Sequence, residues 1–197
     1  MYFDLLIMLL FGLIWAGIVT FLWVKKKKSF VYLVFFTLFY VYIYKVLDYT
    51  LFQFQSLILL KYFQPNLILK GETADKSLNL IPLATLTFHD LETSLLNILL
   101  FIPFGFGLPF ITNLDFKRII VFGTLFSIVI EFVQLLTGIL AKITFRIADV
   151  NDVIFNTVGA ATGYILFIAF MRIYRRLSRN RDVASNPILR YIAERRA

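Results

Sequence analysis

Five long apolar stretches, nearly free of charge, constrain this sequence more than any other feature. They run from Leu5 to Val24, from Phe30 to about Leu47, from about Leu91 to Ile111, from Ile119 to Leu140, and from about Val150 to Ile173. Each is close to the roughly 20 residues that carry an α-helix across ~30 Å of hydrocarbon. In lipid the helix is the form such a run takes, because it satisfies its own backbone hydrogen bonds. The expected fold is therefore all-α: an integral membrane bundle of about five transmembrane helices. Composition agrees, since 60% of the 197 residues are hydrophobic, against about 45–50% in soluble domains. The first run lacks a basic leader and a cleavage pattern, so it is expected to be a retained helix rather than a signal peptide. The apolar segment Leu51–Leu60 carries Gln53 and Gln55, which place it at an interface rather than as a sixth span.

Basic residues set the expected orientation. With the N-terminus outside, the inner segments hold 14 lysines and arginines and the outer ones 5, with Lys45 inside the second span. The positive-inside bias then favours N-out, C-in. Lys45 can extend to the outer interface, with Asp48 one turn away as its partner. The net charge of +8 comes from residues between and after the apolar runs. It fits anionic headgroups as partners and gives no face for nucleic acid. Three regions are expected. Residues 1–77 form a two-helix part with an outer loop, 78–171 a three-helix core, and 172–197 a basic cytoplasmic tail along the inner leaflet.

The polar residues that interrupt the helices carry the functional information. Asn97 lies two turns inside the third span. Glu131 and Gln134 are three apart and share a face of the fourth. In the fifth, Asp149, Asp152, Asn156, Gly159 and Gly163 follow at steps of three or four, which is one stripe of a helix. Its glycines let a neighbouring helix approach closely. Depth counted from the helix ends, at ~1.5 Å per residue, puts Glu131, Asn156 and Asn97 at one height in the outer half. A carboxylate in lipid costs at least ~2.5–3.5 kcal/mol, so Glu131 is expected to face the bundle, with the amides of Gln134, Asn97 and Asn156 as donors. Arg146 is near enough to pair with Asp149 or Asp152, and His89 stands at the outer mouth of the third helix.

Plainer readings stand beside these. Asn97 and Asn156 can simply link helices. Asp149 or Asn151 can cap the fifth helix. Arg146 can be a rim charge and His89 an interfacial side chain. Pro103 and Gly105 interrupt the third helix, either as a structural kink or at a cavity that satisfies the freed carbonyls. Pro82 holds an extended residue before it, in an interfacial or re-entrant segment. With no cysteine and one histidine, thiolate and multi-histidine metal sites are excluded, and no cofactor or metal is expected. Phosphate-loop, serine-elbow and zinc-protease motifs are not found.

In order along the chain come Asn79-Leu80-Ile81-Pro82, then Asn97 with Phe101, Pro103 and Gly105, then Ser127 with Glu131 and Gln134. Arg146, followed by the stripe of Asp149, Asp152, Asn156, Gly159 and Gly163, completes the set. This ordered set, over about Leu78–Phe170, resembles the VanZ-like family of bacterial membrane proteins, whereas the first two helices and the tail lie outside it. After Pro82 this chain has Leu83 and Ala84, where an aromatic often follows. The resemblance implies a cell-envelope role. The family's namesake is an accessory of glycopeptide-resistance clusters, linked to reduced susceptibility to teicoplanin. The expected partners are membrane lipids and a lipid-linked wall precursor or lipoglycopeptide, with the oligomeric state open. The expected activity is binding or modification of an amphiphile in an outward polar pocket, with Glu131, Asp149 and Asp152 as acid–base candidates. Asn97, Gln134, Arg146, Asn156 and His89 would be its binding residues. A masking module without catalysis and a small transporter are the alternatives.

Overall fold

Helices form where the apolar runs lie, and capping residues fix their ends. The computed structural model describes residues 2–51, 78–83, 88–141, 148–179 and 186–195. In chain order these give α1 (Tyr2–Val24), α2 (Phe30–Thr50), β1 (Leu78–Asn79), α3 (Phe88–Ile111), α4 (Phe116–Ala141), β2 (Ala148–Asp149), α5 (Val150–Ser178) and α6 (Pro187–Ala193). The first five helices are long and apolar enough to cross a membrane. Ser29 caps α2, its Oγ accepting from Tyr32 N–H at 3.2 Å. Asp115 does the same for α4, with Oδ1 accepting from Arg118 N–H at 3.0 Å. Helix α5 continues beyond Ile173 because Arg172, Arg175 and Arg176 end the hydropathy but not the helix. Arginine is a good helix former and suits the negative end of the dipole.

The centre of the bundle is the crossing of α3 and α5, which run parallel. Gly159 backs onto Ile98 and Phe101, and Gly163 onto Ile102 and Phe106. From the other side Gly105 faces Ala160 and Tyr164. A Cβ at any of the three would overlap a backbone carbonyl of the opposite helix, so these positions require glycine for the close approach. Helix α4 lies antiparallel to α5, with Thr124 and Thr157 hydroxyls 2.9 Å apart. Aromatic packing fills the rest: Phe101, Phe104 and Val46 form one buried cluster, and Phe110, Phe167 and Met171 another. Among the described residues helix α1 packs chiefly on α2, with Trp15 Nε1 donating to Thr37 Oγ1 at 3.1 Å and Tyr40 hydroxyl to Phe11 O at 2.7 Å.

Two features differ from the sequence reading. Helix α3 runs unbroken through Pro103 and Pro109. The proline nitrogen removes one helical donor, and one residue past the carbonyl so freed, Tyr42 hydroxyl donates to Leu100 O at 2.7 Å. The tail also does more than lie along a surface. Asn186 caps α6, accepting from Ile188 N–H at 2.9 Å, and Pro187 opens the helix. Tyr191 is buried against the bundle and donates to Phe110 O at 2.5 Å. The expected Lys45–Asp48 pair is present at 3.2 Å, on an exposed surface. There it contributes little. The apolar segment 51–60 falls outside the described residues from position 52 onward, as do Arg146 and the side chain of His89.

Candidate functional site

The polar residues of α4 and α5 meet in an antiparallel ladder. At its upper rung, Asp149 N–H donates to Glu131 Oε2 at 3.0 Å. One turn deeper, Asn156 Nδ2 donates to Ser127 Oγ at 2.8 Å. Thr124 and Thr157 form the next rung, and Gly123 then faces Ala160. The spacing that placed Asp149, Asn156 and Gly159 on one stripe produces this order, because facing helices pair residues three and four apart.

Glu131 is 9% exposed, and its carboxylate sits on the backbone that leads into α5. A helix N-terminus presents unpaired N–H groups and the positive end of the dipole, which favour a negative group there. Asp149 is the cap of α5, its Oδ1 accepting from Asn151 N–H at 2.8 Å and from Asn79 Nδ2 at 3.1 Å. Its carboxylate is therefore engaged with Asn79, while Glu131 takes its backbone N–H. Asp152 lies half buried in the first turn of α5.

The segment before α3 is tied to the same place. Strands β1 and β2 pair in parallel, Leu78 opposite Ala148 and Asn79 opposite Asp149. Asn79 Oδ1 then accepts from Ile81 N–H at 3.2 Å, and Asn151 Oδ1 from Leu83 N–H at 2.8 Å. Pro82 is exposed at the tip of this turn, and Leu83 takes a left-handed φ of 57°. That conformation costs a non-glycine residue about 1–2 kcal/mol. The Asn151 amide holds it in place.

The three-level convergence expected from the sequence is only partly present. Ile98 opposite Gly159 puts Asn97 within about one turn of Asn156 in height, and Asn97 is half buried. Glu131 is higher, level with the start of α5. Counting depth from helix ends assumed level ends, but α4 continues past Glu131 through residues 132–141. Nor do the amides of Gln134 and Asn156 serve Glu131. Gln134 Nε2 donates to Thr50 O at 2.9 Å, satisfying a carbonyl at the end of α2. Asn156 is committed to Ser127 by the register of α4 on α5.

Two buried acceptors have no partner among the described residues: Asn156 Oδ1 and Gln134 Oε1. Asn156 itself is only 4% exposed. A buried acceptor left unpaired costs about 1–3 kcal/mol. Among the described residues no three histidine, aspartate or glutamate side chains converge as a metal ion would require. Sequence reasoning did not count Asn79, Ser127, Asn151 or Thr50 among the site residues. The first two stand inside the family-like motifs, and the sequence marks Asn151 only as a cap. Thr50 gave no signal, since its contribution is a backbone carbonyl.

A family model described as VanZ/LLP1 matches residues 3–172. The match is wider than the motif set, for it takes in α1 and α2 as well as the three-helix core. No curated protein and no solved structure matches the chain significantly.

Proposed function

The chain belongs to the VanZ/LLP1 family, and from that membership we propose that it is a cell-envelope protein of the bacterial cytoplasmic membrane, oriented N-out and C-in. In this reading the ladder between α4 and α5 opens outward and receives the polar headgroup of an amphiphile. A lipid-linked wall precursor is the substrate class, and its capture alters susceptibility to glycopeptides such as teicoplanin.

The observation that carries the proposal is Glu131, a buried carboxylate seated on the N–H at the start of α5. Such a group is expensive in a membrane and marks function more often than structure. The unpartnered acceptors of Asn156 and Gln134 support it, because a headgroup rich in hydroxyl and amide donors would satisfy them. Asp152 and Arg146 are the residues proposed to hold charge on that headgroup. Transport is disfavoured. Below Gly163 the α5 face is sealed by Phe167 and Met171, both 0% exposed, and no polar stripe continues to the other side.

The test uses purified protein in lipid nanodiscs with added lipid-linked wall precursor. Mass spectrometry reads both retention and any change in the precursor. Wild type is expected to retain it, and Glu131→Gln or Asp152→Asn to weaken retention at least tenfold (about 1.4 kcal/mol). A changed precursor mass assigns a reaction; an unchanged mass assigns masking. Equal retention by all three proteins contradicts the proposal.

A further inference from the structure

A second region of the molecule joins an apolar groove to clustered positive charge. The groove runs between α2, α3 and α5, encloses about 370 Å³, and is walled by Phe39, Tyr42, Pro103, Phe106, Phe110 and Ile192. Ile192 belongs to α6, so that short helix closes one end. It is held there by Tyr191 hydroxyl on Phe110 O and by Tyr174 hydroxyl on Leu189 O, both at 2.5 Å. The Tyr191 ring also stacks on Phe35 with centroids 5.3 Å apart. The other end reaches Tyr42 and Pro103, well into the span.

Arg195 lies two residues past the end of α6, its backbone N–H donating to Ile192 O at 3.0 Å. Its guanidinium stacks 4.4 Å from the Tyr191 ring centroid, which fixes it near the closed end of the groove. Its Nε is buried and has no hydrogen-bond partner among the described residues. Arg175 Nη2 donates to Arg195 O at 2.8 Å, which brings a second cation to the same place. From Arg172 onward the chain holds eight arginines against Asp182 and Glu194. Arg195 and Ile192 both lie beyond residue 172, where the family match ends.

We propose that this groove binds an acyl chain of an anionic glycerophospholipid drawn from the leaflet on the α6 side, with Arg195 meeting its phosphate. The walls supply the apolar contact that an acyl chain takes. The Arg195 guanidinium supplies the positive charge, and guanidinium pairs well with phosphate oxygens. Basic segments at a membrane surface favour anionic over zwitterionic lipid. Tyr191 pre-sets the guanidinium, so less side-chain freedom is lost on binding.

Native mass spectrometry of the full chain, with dioleoyl phosphatidylglycerol or dioleoyl phosphatidylcholine added, tests the site. Wild type is expected to retain the anionic phosphatidylglycerol preferentially. Arg195→Gln is expected to reduce that preference about fivefold, the worth of one basic residue at a surface. Leu38→Trp fills the groove from an exposed wall position without changing charge, and is expected to reduce retention of both lipids. Arg118→Gln removes an exposed charge from the start of α4 and is expected to leave retention unchanged. The proposal is overturned if Arg118→Gln acts as strongly as Arg195→Gln, or if Leu38→Trp retains lipid as wild type does. A second copy of the chain in place of lipid also overturns it.

Discussion

Replacing Gly159 by alanine separates this account from one based on helix propensity alone. An alanine methyl there would stand 2.9 Å from Phe101 Cβ and 3.0 Å from Ile98 Cα, and would overlap the Ile98 carbonyl. Carbon contacts settle at about 3.5–4.0 Å, so α3 and α5 would have to part by roughly 0.5–1 Å. Backbone cannot swing aside as a side chain can, which puts the overpacking cost near the upper end of its range, about 3 kcal/mol. Alanine returns about 1 kcal/mol through better helix propensity. The net loss is about 2 kcal/mol, or a fall in Tm of about 4–8 °C for a chain of this length. The control is Gly12→Ala in α1, where nothing lies within 4 Å. There only propensity acts, and Tm is expected to rise by about 2–4 °C. Thermal unfolding of the two variants in one detergent, followed by circular dichroism, reads both signs. If Gly159→Ala raises Tm as Gly12→Ala does, the close crossing of α3 and α5 is refuted.

Two further perturbations probe the ladder itself. A double-mutant cycle of Asn156→Ala and Ser127→Ala should give a coupling of about 0.6 kcal/mol, and at most ~1.7 kcal/mol, for an interhelical bond in a membrane; denaturant unfolding of the four proteins measures it, and zero coupling removes that rung. Asp149→Ala should cost about 1 kcal/mol through the lost cap of α5 and free Asn79, accelerating amide exchange in residues 78–83 and 150–153 while leaving the core around Phe167 protected.

The bundle was legible because lipid leaves a chain few choices. Four of the five spans end within three residues of where the apolar runs end. The fifth, α5, runs on to Ser178 because arginine stops hydropathy without stopping a helix. The docking of α6 was not legible from hydropathy, since a seven-residue helix has no long period to detect. Its Asn186-Pro187 start was nevertheless a readable signal. Within the site, the stripe on α5 was visible as spacing, and it does face α4. What spacing could not supply was the relative height of the helices. That height decided that Glu131 meets the Asp149 backbone, while Asn156 meets Ser127. The role of Asn79 was equally hidden, for it depends on a two-residue pairing between segments 70 positions apart.

In the proposed reading the ladder opens to the outside and takes a headgroup, and Leu80 gives direct access to it. The chain has no cysteine, so Leu80→Cys introduces a unique thiol beside Asn79 at a position 68% exposed. A membrane-impermeant maleimide is applied to intact cells, with and without an excess of lipid-linked wall precursor in purified membranes as the parallel arm. Labelling of intact cells and protection by the precursor are expected. Labelling that appears only after the membrane is opened, or that the precursor never slows, contradicts that reading.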